Sequence, residues 1–176
     1  MSFENSPYAT FYRKKSTSSL YLLEASHTVY NQDDDVYVSY IHSKTTVGEF
    51  ISLFGEDQQS RINVFDTSGI YVSKDKYDTK VVGTGFTVEL LDTNRITIDK
   101  VTIIIYGDIN GDGYVNISDK ILLNRYLSGK EYFTTYKLAA ADVNHDGKAN
   151  SLDMTIINYQ LSGSADFEEN YYIKFD

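Results

Sequence analysis

At 176 residues, 41% apolar and 23% charged, the chain has material for one domain or two small ones and is too apolar for wholesale disorder. It holds no Cys, which excludes a disulfide framework, a thiolate metal site and a cysteine nucleophile. A net charge of −9 argues against a general nucleic-acid or anionic-membrane binder, and no run approaches the ~18–20 consecutive apolar residues of a membrane helix.

Taken in chain order, residues 1–17 are polar, hold Pro7 and read as a linker or frayed start. Arg13, Lys14 and Lys15 are followed by no apolar stretch of ~7–15 residues, so no signal peptide is legible. The chain is expected to be either cytosolic or a piece of a longer secreted protein. Residues 18–106 read as a β-rich module. Strands are expected over 36–41, 62–65, 70–73, 86–91 and 95–106, rich in Val, Ile, Thr, Tyr and Phe between Gly, Asp and Asn turns. Over 47–54 the apolar residues Val47, Phe50, Ile51 and Phe54 recur at helical spacing behind Thr45-Thr46, a cap. Gly83-Thr84-Gly85 lacks the following lysine of a phosphate loop and reads as a tight turn before a strand. The last strand runs straight into Gly107-Asp108, so the next unit is expected to be rigidly joined. The fold class predicted is α+β: a small β-sandwich-like module with one short helix, then an all-α unit.

That second unit, residues 107–176, carries 6 basic and 11 acidic side chains. It contains a duplication. GDINGDGYVNISDKILLNRYLSG begins at Gly107, and ADVNHDGKANSLDMTIINYQLSG begins at Ala141. In frame, Asp108 matches Asp142, Asn110 matches Asn144, Asp112 matches Asp146, Gly113 matches Gly147, Asn116 matches Asn150 and Asp119 matches Asp153. Each copy reads as an acidic loop followed by a helix stopped at glycine, Gly129 or Gly163. Ile121, Leu122, Leu123, Tyr126 and Leu127 supply the apolar face of the first helix; Leu152, Ile156, Ile157 and Leu161 supply the second. Residues 131–141 suit a short connecting helix.

The spacing of the acids points to calcium. This hard cation takes ~6–8 oxygens, and a twelve-residue loop supplies them from positions 1, 3, 5, 7, 9 and 12, with Gly at 6 for the turn. The first copy offers Asp108, Asn110, Asp112, the Tyr114 carbonyl, Asn116 and Asp119; the second offers Asp142, Asn144, Asp146, the Lys148 carbonyl, Asn150 and Asp153. Two Ca²⁺ ions are expected. Magnesium is disfavoured because it rarely accepts an all-protein cage. Position 12 is Asp where an ordinary EF-hand has Glu, and a strand rather than a helix enters the first loop.

The two quoted segments, which span about 57 residues, resemble the dockerin family. The resemblance implies a non-catalytic module that binds a cohesin module of a scaffoldin or cell-surface anchor in a cellulosome-like, polysaccharide-degrading assembly. It implies cohesin contacts at Ile117, Ser118, Leu122, Asn124 and Arg125 in the first copy, and at Ser151, Leu152, Asn158 and Tyr159 in the second. Because only the Asn is shared between the equivalent positions, a single docking orientation is expected. The β-rich part, with TTVGEFISLF, VGTGFTVELLD and a strand ending in YGDINGDG, resembles X modules joined to dockerins in ruminococcal and related gut Firmicutes. That likeness implies a structural support without catalytic residues.

Three rival readings each need residues that can be checked in the sequence. An enzyme is disfavoured because His27, His42 and His145 are scattered, His145 being position 4 of a loop and expected to face solvent. A carbohydrate-binding β module carried on a dockerin is the alternative reading, with Tyr8, Tyr12, Tyr21, Tyr30, Tyr37 and Tyr40 as stacking candidates. A cytosolic calcium sensor needs a Met-rich groove, and Met1 and Met154 are the only methionines. Structural calcium sites imply an extracellular or cell-surface setting; a monomer on its own, no nucleic-acid partner and no membrane insertion are also expected. The aromatic tail at Tyr171, Tyr172 and Phe175 is expected to clasp Ile104, Ile105 and Tyr106.

Overall fold

The structure, a computed structural model, describes residues 28–32 and 35–164. The expected linker, the tyrosines Tyr8, Tyr12 and Tyr21, His27 and the C-terminal clasp lie outside the described residues. Strands form where β-branched and aromatic residues alternate: β1 (Thr28–Gln32), β2 (Asp35–Ser39), β3 (Ile62–Phe65), β4 (Thr87–Leu91) and β5 (Thr97–Ile103). They build one five-stranded sheet in the order β1-β2-β5-β4-β3, antiparallel except for the parallel pair β2/β5.

Where a sandwich was expected, the described strands thus make a single mixed sheet. Its cover on one side comes from helices: α1 (Val47–Ser52) and α2 (Glu56–Gln59). Among its described residues the module therefore has two short helices rather than one. Thr46 caps α1 in a capping box, its hydroxyl accepting from the Glu49 amide while the Glu49 carboxylate accepts from the Thr46 amide. The strand expected over 70–73 reduces to one bridge, Phe65 to Tyr71. Ile70 and Tyr71 are exposed there and Val72 alone is buried, so the segment is held at one point before a 3₁₀ turn (Lys74–Lys76) begins.

The second unit has α3 (Ile117–Leu127), α4 (Thr135–Ala141) and α5 (Ser151–Leu161). Leu123, Ile156 and Ile157 are buried as the periodicity predicts, with Leu122 and Tyr126 partly so. Ile121, Leu127, Leu152 and Leu161 instead lie exposed. A helix of this length packed on one side needs only a narrow stripe.

The apolar residues fall into two clusters, divided by strand alternation. Side chains along a strand point to opposite faces in turn. Val38, Ile103 and Ile105 enter the cluster under α1, with Phe50, Phe54 and Val88. Tyr37, Ile104 and Tyr106 enter the other, with Leu123, Ala140, Ala141, Val143 and Ile157 from the helical unit. The strand end that looked apolar on both faces is buried on both faces, one in each cluster. Tyr37 and Tyr40 also belong to this second cluster, 1% and 7% exposed, so neither can stack on a sugar.

A large-to-small change at the strand end should therefore affect both units. Ile104→Ala removes a fully buried side chain and is expected to cost roughly 2–5 kcal/mol. Urea unfolding followed by far-UV circular dichroism and by tyrosine fluorescence should show both probes shifting together. A loss seen by one probe alone would contradict the shared cluster.

Candidate functional site

Each acidic loop is closed by its last carboxylate. In the first, Asp119 Oδ1 accepts from the Ile109 and Asn110 amides at 2.8 and 3.0 Å, and its Oδ2 accepts from the Asn116 amide at 2.9 Å. In the second, Asp153 Oδ1 accepts from Val143 and Asn144 at 3.0 and 3.3 Å, and its Oδ2 accepts from Asn150 at 2.8 Å. These bonds also start the helices. Asn116 and Asn150 are N-caps accepting from Ser118 and Leu152, and each forms a capping box with the Asp three residues on. Asp in place of Glu at the last position is thus accounted for by geometry: its short side chain both caps the helix and reaches back across the loop.

The first carboxylates organise the turns. Asp108 Oδ1 accepts from Gly111 and Asp112, and Oδ2 accepts from Gly113. Asp142 Oδ1 accepts from Asp146, and Oδ2 accepts from Gly147. The turns need glycine: Gly113 and Gly147 have φ of +84° and +88°. Asn110 and Asn144 reach Asp112 and Asp146 through their side-chain amides, at 2.8 and 3.1 Å. Asn116 and Asn150 lie against the Tyr114 and Lys148 carbonyls at 3.3 and 3.2 Å. All twelve residues expected as ligands are therefore gathered in two equivalent loops. Among the described residues, no three carboxylate or imidazole groups stand together as a finished coordination sphere; the oxygens are turned onto amides of the loops themselves.

The electrostatics fit a hard cation. Asp108, Asp119 and Asp153 are fully buried. Burial pushes Asp108 up to about 7, against the pull of the Thr84 amide and with added repulsion from Asp119 and Asp112. Burial pushes Asp119 and Asp142 up to about 6 and raises Asp153, in each case opposed by loop amides. Buried carboxylates beside more exposed carboxylates and neutral loop oxygens are a donor set that suits calcium.

The loops differ in what surrounds them. Thr84, in the turn before β4, donates its amide to Asp108 Oδ2 at 2.9 Å. Lys44 donates its amide to the Gly113 carbonyl at 2.8 Å. The second loop meets the rest of the molecule through Val143, in the second apolar cluster, and through His145, whose ring packs edge-on against Tyr106 with centroids 4.2 Å apart. The expectation that His145 faces solvent is therefore corrected. It occupies the left-handed region at φ +60°, and burial holds it down at about 4, so it is a neutral packing group. Thr84 and Lys44 escaped sequence reading because nothing local ties a turn 24 residues away to a carboxylate; the only signal was a glycine on each side of Thr84.

Of the expected docking residues, Ile117, Ser118, Asn124 and Arg125 are exposed on α3, and Ser151, Leu152 and Tyr159 on α5. Asn158 is half-buried, and Leu122 packs against the second cluster, which removes it from an outward face. Ile117, Leu152 and Tyr159 are 57%, 46% and 51% exposed. Arg125 is paired with Glu131 at 3.2 Å.

Residues 106–162 match the family model of the dockerin type I domain. Among solved structures, the chain is similar to one from Acetivibrio cellulolyticus, described as the third cohesin ScaC in complex with the ScaB dockerin displaying a type I interaction. The identity is 31% and the TM-score 0.34, covering 35% of this chain and 88% of that one. No curated protein matches the chain. No helix among the described residues is long and apolar enough to cross a membrane.

The raised carboxylates carry a pH dependence whose sign is fixed. In the folded, chelator-treated chain these groups titrate near 6 to 7, above the ~3.9 of an unfolded Asp. The folded state then binds more protons over that window, so stability falls as pH rises through it. The chelated chain should melt higher at pH 5 than at pH 7.5 by differential scanning fluorimetry. The reverse order would contradict the burial of these acids.

Proposed function

We propose, from the dockerin type I domain at residues 106–162, that this chain is a calcium-dependent adaptor. It docks its parent protein onto a cohesin module of a scaffoldin or cell-surface anchor in an extracellular, cellulosome-like assembly. It does so without catalysis. The observation that carries the reading is the family match lying over both loops, each with its full oxygen set.

On this reading, Asp108, Asn110, Asp112, Tyr114, Asn116 and Asp119 hold one calcium ion, and Asp142, Asn144, Asp146, Lys148, Asn150 and Asp153 hold a second. Bound calcium supplies positive charge to buried carboxylates. The chain's own part is to set the helices. Asn116 and Asn150 cap them, and Asp119 and Asp153 tie each first turn back to the start of its loop. An ordered loop therefore fixes where α3 and α5 present their side chains.

Ile117 and Arg125 on α3, and Leu152 and Tyr159 on α5, are the anchors this reading uses. Tyr and Arg side chains are the kind that dominate interface energies, and Ile117 and Leu152 add exposed apolar area beside them. The β-rich part supports the module through the shared apolar cluster, in keeping with an X-module-like role. A sugar-binding role keeps no support from Tyr37 or Tyr40.

The test is surface plasmon resonance of the full chain over immobilised type I cohesins, in calcium and in EDTA. Binding in calcium that vanishes in EDTA is expected. Alanines at Ile117, Ser118, Asn124 and Arg125 should have a very different effect from alanines at Ser151, Leu152, Asn158 and Tyr159. If either set alone leaves affinity intact while both together abolish it, the single orientation is wrong.

A further inference from the structure

The two loops have the same internal chemistry but different walls. Around the first, residues 81–85 of the β-rich module come into backbone contact. A Cβ placed on Gly83 would meet the Gly111 carbonyl, and one placed on Gly113 would meet the Val82 carbonyl and the Val81 side chain. Gly111, at position 4, faces the Thr84 carbonyl in the same way. Around the second loop, Gly147 has nothing within 4 Å of a Cβ. The first carboxylates differ accordingly: Asp142 is served by Asp146 and Gly147 of its own loop, whereas Asp108 receives the Thr84 amide from outside.

Thr84 is itself held at both ends. Its hydroxyl accepts from the Ile105 amide at 2.9 Å and donates to the Ile105 carbonyl at 3.1 Å. A fully buried hydroxyl used as donor and acceptor leaves the residue little freedom. The Val82 amide donates to Thr45 O at 2.9 Å, fixing the other end of the turn. The Lys44 amide, on Gly113 O, adds a contact from the segment beside Thr45.

We infer that the turn 81–85 is a positioning element for the first cation site, so that calcium affinity at this loop, and not at the second, is set by the β-rich module. The inference rests on reading the loops as calcium sites. Thr84 and Gly83 touch no ion; they act by orienting Asp108 and the turn through Gly111 and Gly113. Coupling of this kind is reciprocal. Calcium in the first loop stabilises the turn by the same factor as the turn stabilises the calcium-bound loop.

Calorimetric calcium titrations of the full chain test this in two backgrounds. Asp142→Asn with Asp146→Asn disables the second loop and isolates the first; Asp112→Ala disables the first. Gly83→Ala should weaken calcium at least tenfold where the first loop is isolated, and change it less than twofold where the second is isolated. Thr84→Val keeps side-chain shape and loses both hydroxyl bonds, so it covers the case in which Gly83→Ala fails to fold. It should weaken the first site at least threefold, with a wild-type circular dichroism spectrum. Hydrogen exchange at residues 81–85 should slow on adding calcium to the first-loop background and not to the second-loop background. Equal effects at both loops, or none at either, overturn the inference. A wild-type chain that takes up no calcium overturns the calcium reading on which it rests.

Discussion

Everything in the described structure hangs on a four-residue alternation at the end of β5. Ile103 and Ile105 face the cluster beneath α1, while Ile104 and Tyr106 face the helical unit. A strand with a solvated face would carry polar residues at every second position. Residues 103–106 include none because both faces are covered there. Burial on both sides fixes the twist and height at which the chain leaves the sheet, and Asp108 follows two residues after Tyr106. The first loop thus starts from a position already set by two apolar clusters, and the parallel partner β2 repeats the division with Tyr37 on one side and Val38 on the other.

The duplicated unit is symmetric in sequence and asymmetric in surroundings. Position 4 shows how. Gly111 permits a carbonyl from the neighbouring turn to lie where a Cβ would be, and its counterpart His145 fills space against Tyr106 instead. A non-glycine in the left-handed region carries a small conformational cost, of order 1 kcal/mol, which ring packing on Tyr106 offsets. Gly and His at one repeat position are therefore two solutions to two different walls. The divergence also explains why Asp108 is fully buried while Asp142 stays half-open.

The loops were legible in the sequence because their chemistry is local. Oxygens at fixed spacing, glycine at a turn, and Asn three residues before Asp need no knowledge of the rest of the chain. Strand 62–65 and the helix beginning at Val47 were legible for the same reason: periodicity and a cap. The sheet was not. The β2/β5 pairing joins segments some sixty residues apart, and strand-rich texture does not distinguish one mixed sheet covered by helices from two sheets facing each other. β1 (Thr28–Gln32) was missed because TVYNQ mixes strand-forming with turn-forming residues. The tyrosines misled because Tyr serves equally as a stacking surface and as a core residue, and only the partner across the strand decides.

Burial of Asp108 shows why the contact between the turn and the first loop has to be made of backbone. A carboxylate taken wholly out of water needs several donors, and Gly111, Asp112 and Gly113 come from its own loop. The fourth comes from Thr84, on the side where the turn packs against the Gly111 carbonyl. Side chains from the turn would hold the two backbones apart by a carbon atom and break that bond. Glycine at 83 on one side and at 111 and 113 on the other is the composition that lets the approach occur. Thr84 between them supplies the hydroxyl that ties the turn to Ile105, so the donor cannot drift from the acceptor. The same contact excludes water from Asp108, which raises its affinity for a proton when no cation is bound and strengthens its attraction to a cation when one is. Close backbone packing from the neighbouring turn is thus what makes the first carboxylate costly to ionise alone and, on the calcium reading proposed above, what strengthens its hold on the ion.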